Sequence, residues 1–324
     1  MSSDITPIAY AAERLTRLRH EIGQAMVGQS AVIEQVVVAL AASGHVLLEG
    51  VPGLGKTLLV RALAQALSLS YARVQFTPDM MPSDITGHSV LDPTTREIRI
   101  VRGPVFTNLL LADEINRAPA KTQSALLEVM QEQQVTLEGH THTLPRPFIV
   151  LATQNPIETE GTYPLPEAQL DRFLMKTQID YPSAGEEVAV VIRTTDNQPG
   201  DQLPLANVKP CLNERDVLAI QQLTARQRVD EQVVDYAVRM TRATRDWPGI
   251  ALGSGSRGAI ALVRCARVVA LLDGRDFVTP DDIKRFALPV LRHRIALTPD
   301  ALLEGRKPMD LLAAVINSVA APRA

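Results

Sequence analysis

Residues Gly50-Val51-Pro52-Gly53-Leu54-Gly55-Lys56-Thr57, with Leu58 following, set glycines, a lysine and a hydroxyl at the spacing Gly-x-x-x-x-Gly-Lys-Thr. Glycine lacks the Cβ that would keep successive backbone N–H groups from curling around an anion. A helical pattern begins near Lys56, so the positive end of its dipole would face the same anion. Lys56 would neutralise β- and γ-phosphate charge, and the Thr57 hydroxyl would ligate Mg2+. The apolar run Val46-Leu47-Leu48 ahead of the loop supplies the strand that such a motif requires.

A second constellation narrows the chemistry. Leu109-Leu110-Leu111-Ala112 ends in Asp113-Glu114, reading as a buried strand that delivers two carboxylates to its C-terminal edge. Asp113 would hold the Mg2+ shell, through water. Glu114 would orient and deprotonate an attacking water. Transfer of a phosphoryl group to a small molecule has no need of that second carboxylate, so the pair favours hydrolysis. The plainer alternative is a turn that caps the next segment.

The elements that must position these groups are legible in the hydrophobic pattern. Short apolar runs at 45–49, 72–76, 109–113, 148–153 and 174–179 alternate with helical patterns, which predicts a parallel sheet with crossover helices on both faces. Two helices precede it, at 6–25 and from about 29. Residues 77–105 form an insertion with a β-like stretch at 97–101, and 133–144 reads as a hairpin, 134–137 and 142–144 flanking a glycine-bearing turn at Glu138-Gly139-His140-Thr141. Ser183 is placed to cap a further helix, a proline-bearing linker covers 197–210, and helices are expected at 213–225, 230–246, 257–272, 281–291 and from Met309. The chain thus divides into 1–182, an α/β core, and 183–324, an all-helical unit.

Composition allows a large core, with 46% hydrophobic and 21% charged residues. A net charge of −3, a pI near 6.1 and 4% aromatics argue against a broad nucleic-acid surface. Cys211 and Cys265 lack metal-ligand spacing and read as buried free thiols in a reducing compartment. No export signal or membrane span is evident, so a cytoplasmic location is expected. His140 and His142 could share a strand face and bind metal, or could simply sit on a solvated hairpin.

Taken with Phe76-Thr77-Pro78-Asp79, Asp113-Glu114-Ile115-Asn116-Arg117-Ala118-Pro119, Ala152-Thr153-Gln154-Asn155-Pro156 and Tyr163-Pro164-Leu165-Pro166-Glu167-Ala168-Gln169-Leu170-Asp171-Arg172-Phe173, the sequence resembles the MoxR family of AAA+ ATPases over nearly its whole length. The resemblance implies an αβα sandwich around a five-stranded parallel sheet, followed by a helical lid, with ATP and Mg2+ at their junction. It gives Asn155 the role of sensor 1 and Arg172 that of an arginine finger reaching into a neighbour's site. Read alone, Asn155 could be a turn former and Arg172 a surface partner of Asp171. It makes Arg257 sensor 2, facing the phosphates of its own chain, and sets Gly28 and Gln29 near the adenine. Arg117 would line the subunit interface. The family run before sensor 2 is Gly-Ala-Ser-Pro-Arg. Gly253-Ser254-Gly255-Ser256-Arg257 lacks the proline and carries an extra glycine, expected to loosen that backbone.

The implied assembly is a homo-oligomeric ring, usually a hexamer, with both insertions facing its pore. The implied work is chaperone-like remodelling of protein clients, often with a von Willebrand factor A domain partner. A metal-chelatase-like motor subunit, a nucleic-acid-translocating motor and a nucleotide-gated scaffold are the alternatives.

Overall fold

Five apolar runs pair as one parallel sheet, whose strands are β1 (Val46–Glu49), β2 (Tyr71–Gln75), β3 (Leu109–Asp113), β4 (Ile149–Gln154) and β5 (Met175–Gln178). Their spatial order is β2-β3-β4-β1-β5, so the ends of β3, β4 and β1 lie side by side. The structure, a computed structural model, describes residues 6–51, 53–91, 96–155, 161–195 and 204–322.

Side chains alternate across the sheet, and both faces are buried. Leu109 and Leu111 join Val46, Leu48, Ile149 and Leu151 in one apolar cluster, while Leu110, Ala112, Val150 and Ala152 belong to another. Each such leucine contributes about 2 kcal/mol on removal from water. This double burial is why the strands read as continuous apolar runs rather than alternating ones.

Local signals set the helix ends. The helix Pro7–Ala25 begins with Thr6 Oγ1 accepting from the Ala9 N–H at 3.2 Å and with proline in its first turn. Lys56–Leu67 and Ala120–Glu132 supply crossovers, the first starting on the left-handed Gly55. A single helix expected at 281–291 is instead two, Pro280–Arg285 and Ala287–Leu291. Pro289 has no N–H for the carbonyl of Arg285, and its ring crowds that carbonyl.

The insertion holds the short helix Pro82–Thr86 and an antiparallel pair, Gly87–Leu91 with Ile98–Arg102; only the second strand is marked in the sequence pattern. The hairpin Gln134–Leu137 with His140–Thr143 turns on Glu138 (φ 49°) and Gly139 (φ 77°), the paired positive φ of a two-residue turn. The hairpins touch, with Ser89 Oγ donating to Glu138 Oε1 at 2.7 Å. His142 meets Phe106 edge-on, with ring centroids 6.5 Å apart. Among the described residues, no third His, Cys, Asp or Glu forms a ligand group with the two histidines.

The first apolar cluster does not stop at residue 182. It runs from Leu15, Leu18 and Ile22 through the sheet into Leu262, Val269 and Leu291 of the lid. The helix Ser256–Leu272 packs directly on Pro7–Ala25 and on Ser30–Ala41. Arg264 reinforces that contact, its Nε donating to the Ala42 carbonyl at 3.1 Å and its Nη2 to the Ser43 carbonyl at 2.8 Å. Of the linker expected at 197–210, residues 197–203 lie outside the described part. Beyond it, Gln65 Nε2 donates to the carbonyls of Leu205 and Val208 at 3.1 and 2.7 Å. No helix among the described residues is long and apolar enough to cross a membrane.

Candidate active site

The phosphate loop leaves β1 under tight steric control. A Cβ on Gly50 would stand 2.6 Å from the Ile179 carbonyl, so only glycine lets the chain pass there. Gly53 and Gly55 hold φ of 85° and 79°, the left-handed conformations from which backbone N–H groups can converge on one anion. Pro52 lies outside the described residues. Lys56 Nζ donates to the Gly50 carbonyl, folding back across the loop. Burial pushes the Lys56 pKa down, while Asp113, Glu114 and Glu49 oppose that shift.

Neighbouring strand ends bring the acids in. Thr153 Oγ1, at the end of β4, donates to Asp113 Oδ1 at 2.6 Å and accepts from the Glu114 N–H at 2.8 Å. One hydroxyl therefore orders both carboxylate-bearing residues. Glu114 holds a left-handed φ of 56°, a conformation costing a non-glycine residue on the order of 1 kcal/mol. Its Oε2 accepts from Gln75 Nε2 at 2.7 Å and lies 3.3 Å from Arg117 Nη1. Asp113 Oδ2 accepts from Arg73 at 2.7 and 3.2 Å, and Arg73 Nη2 also donates to Gln75 Oε1 at 3.1 Å. Arg73 and Gln75 stand two apart on β2, and Gln75 pairs in register with Asp113. Sequence reasoning missed both. A charged residue on a short edge strand carries no signal until the register is known.

These groups line one cavity of about 880 Å³. Its lining includes the polar groups of Lys56, Thr57, Asp113, Glu114 and the buried Asn155, and the apolar side chains of Met26, Leu54, Leu58, Tyr181 and Val191. Gln29 lines it as well, held by a 3.0 Å bond from Nε2 to the Asp180 carbonyl. A Cβ on Gly28 would fall 2.6 Å from the Glu186 carboxyl carbon, and φ there is 71°. That glycine lets the helix Ala184–Thr195 pack close by, and the helix lines the cavity through Glu187, Val190 and Val191. An apolar slot beside a cationic loop and two carboxylates suits a nucleotide base, its phosphates and a divalent cation.

Two expected site residues lie elsewhere. Arg172 and Arg257 line a second cavity, of about 400 Å³, together with Ser43, Gly44 and His45. Those residues precede β1, whereas the phosphate loop follows it, so a strand of four residues, about 13 Å, separates the two ends. Arg257 therefore does not face the phosphate loop of its own chain, contrary to expectation. The helix carrying it is committed to the N-terminal helices, and Arg257 Nη1 lies 3.7 Å from Asp171 Oδ2. Nor is the preceding run loose. A Cβ on Gly253 would sit 2.6 Å from Arg245 Cα, Ser254 N–H donates to Thr244 Oγ1 at 2.8 Å, and Arg245 Nε donates to the Ser254 carbonyl at 2.9 Å. Arg172 Nη1 rests on the Leu127 carbonyl at 2.9 Å.

The chain resembles known proteins in sequence and in fold. Residues 45–175 match the profile of the ATPase family associated with various cellular activities, and residues 242–315 match that of the AAA lid domain. The Mycobacterium tuberculosis protein named Chaperone MoxR1 is 43% identical over 327 residues, spanning 98% of this chain and 84% of its own. The chain belongs to the MoxR family of AAA+ ATPases. The Bacillus subtilis protein YeaC is 45% identical over 301 residues, 93% of this chain and 92% of its own. A crystal structure from Cytophaga hutchinsonii, provisionally described as an ATPase, superposes with a TM-score of 0.89 at 39% identity, covering 98% of this chain and 97% of that one. This MoxR-family chain is an ATPase with an α/β core and a helical lid.

Proposed function

We propose that this ATPase works as a ring, a hexamer by its family resemblance, that couples ATP hydrolysis to chaperone-like remodelling of protein clients. The observation carrying the proposal is the separation of two half-sites across one strand. Lys56, Thr57, Asp113, Glu114 and Asn155 meet at the C-terminal end of the sheet, while Arg172 and Arg257 meet at the other. Complementary patches on different sides of one protomer suit head-to-tail contacts, which close into rings.

Within one protomer, Lys56 and the loop N–H groups would bind the phosphates, and Thr57 and Asp113 would hold Mg2+. When bound, that ion draws charge from the phosphate oxygens. Glu114 would take the proton of the attacking water, with Asn155 beside it ordering the same water. Arg172 of the adjacent protomer would neutralise charge gathering on the transferred group, with Arg257 entering the same neighbouring site. A protein client completes the reading, supported by the chaperone name of the Mycobacterium relative, and the family resemblance adds a von Willebrand factor A domain partner. The work would be cytoplasmic, where the buried thiols Cys211 and Cys265 stay reduced.

Steady-state turnover and nucleotide retention of three variants test this. Lys56→Ala is expected to lose retention. Glu114→Gln is expected to retain nucleotide and hydrolyse at least about 10²-fold more slowly. Arg172→Ala should retain nucleotide and lose about 10³-fold in turnover. An Arg172→Ala ring hydrolysing at the parental rate would remove the in-trans role.

A further inference from the structure

The segment bearing Arg172 is held from the lid chiefly by Arg294. Arg294 follows the helix Ala287–Leu291, with 3% of its side chain exposed. Its Nε donates to Asp171 Oδ1 at 2.8 Å. Nη2 donates to the carbonyls of Phe173 at 2.6 Å and Asp171 at 3.3 Å. Nη1 donates to the Leu174 carbonyl at 3.1 Å and to that of Val290. His293 adds a ring nitrogen 3.2 Å from the same Phe173 carbonyl. Every guanidinium nitrogen is thus engaged, and the carbonyls it grips straddle Arg172.

A buried guanidinium is costly unless its N–H groups are paired, and here the pairing partners are largely backbone. The contact therefore fixes main-chain position rather than a surface side chain. The other oxygen of Asp171 faces Arg257, so one acid joins Arg257 to Arg294 beside Arg172. We propose that Arg294 is a positioning residue for Arg172, through which displacement of one protomer's lid sets hydrolysis in the adjacent protomer's site. This rests on the proposed action of Arg172 in trans. Lysine cannot replace Arg294, because one ammonium on a flexible stem cannot span acceptors arranged around a planar fork.

The test compares Arg294→Lys with Arg172→Ala and the parent, in the full-length chain at ring-forming concentrations. Arg294 is remote from the cavity that holds Lys56, so Arg294→Lys is expected to bind a fluorescent ADP analogue within about twofold of the parent. Its turnover is expected to fall about 10²-fold, the scale of a reacting group misplaced by about 1 Å. Mixing then separates positioning from general damage. Glu114→Gln protomers keep a sound Arg172 segment, so adding them to Arg294→Lys should raise turnover above that of either alone. Adding Arg172→Ala protomers should not.

Parental turnover by Arg294→Lys, with Arg172→Ala impaired, overturns the coupling and leaves the in-trans role standing. Loss of turnover that Glu114→Gln protomers do not restore also overturns it. Should Arg294→Lys fail to bind the analogue, Asp171→Asn takes its place in the mixing experiment, because it removes the ion pair and spares the carbonyl contacts. Restoration of Asp171→Asn by Glu114→Gln protomers then supports the coupling, and its absence overturns it. A parental rate for Arg172→Ala removes the in-trans reading and this proposal together.

Discussion

Arg73 Nη2 lies 2.7 Å from Oδ2 of Asp113, the carboxylate proposed to hold hydrated Mg2+. The two cations would then compete for one carboxylate. Arg73→Gln frees that oxygen, so half-saturation of nucleotide binding by Mg2+ is expected at a lower ion concentration, read by titrating a fluorescent nucleotide. A higher Mg2+ requirement would show that Arg73 assists the ion rather than opposing it. Motif residues such as Lys56 and Asp113 were legible because phosphate chemistry demands those types at that spacing. Arg73 and Gln75 were not, since their partners lie about 40 positions away and are assigned by the pairing of Gln75 with Asp113. The placement of Arg257 beside Asp171, rather than at the phosphate loop, was not legible, because the packing of its helix decides it.

His45 shows what the elements demand of a side chain. It stands immediately before β1, accepts the Val150 N–H at Nδ1 (3.0 Å) and reaches the Met130 carbonyl through Nε2 at 3.0 Å. One neutral ring thereby joins β1, β4 and the end of the helix Ala120–Glu132. Burial pushes its pKa down from 6.5 to about 4. His293, also buried, is shifted down for the same reason, with Arg294 adding to the effect. The unfolded chain takes up these protons near pH 6.5 and the folded chain does not, so stability is complete above that pH. It should fall as pH drops from 6.5 towards 4, by about 3 kcal/mol for His45 alone. Denaturant unfolding across that range should therefore show a steeper pH slope for the parent than for His45→Gln. Equal slopes would mean that His45 does not carry the titration.

Elements with a strong local signal were legible almost residue by residue, the five strands above all; the hairpin was legible too, though it turns on two residues, Glu138-Gly139, rather than on four. The strand Gly87–Leu91 and the break before Ala287 were not. Gly87-His88-Ser89 gives no apolar period, and the break follows from Pro289 acting on Arg285, one helical turn back.

At the scale of the whole molecule, the division at residue 182 describes the chain better than the packing, because the N-terminal helices bind sheet and lid in one apolar cluster. No periodicity could have shown this, since it depends on which of several amphipathic faces meet. The same packing carries Arg257 and Arg294 to the side of Arg172 and leaves the nucleotide cavity without an arginine from the lid helix Ser256–Leu272 among its described lining. If Arg172 acts in trans as proposed, an isolated protomer would have the parts for binding and only some of those for turnover.

Specific ATPase rate measured against protein concentration, with assembly state followed by light scattering on the same samples, tests that claim most directly. The rate per chain should climb as protomers assemble and plateau with the ring, while Arg172→Ala stays low throughout. A parent whose rate per chain is the same for dispersed protomers as for rings would contradict it.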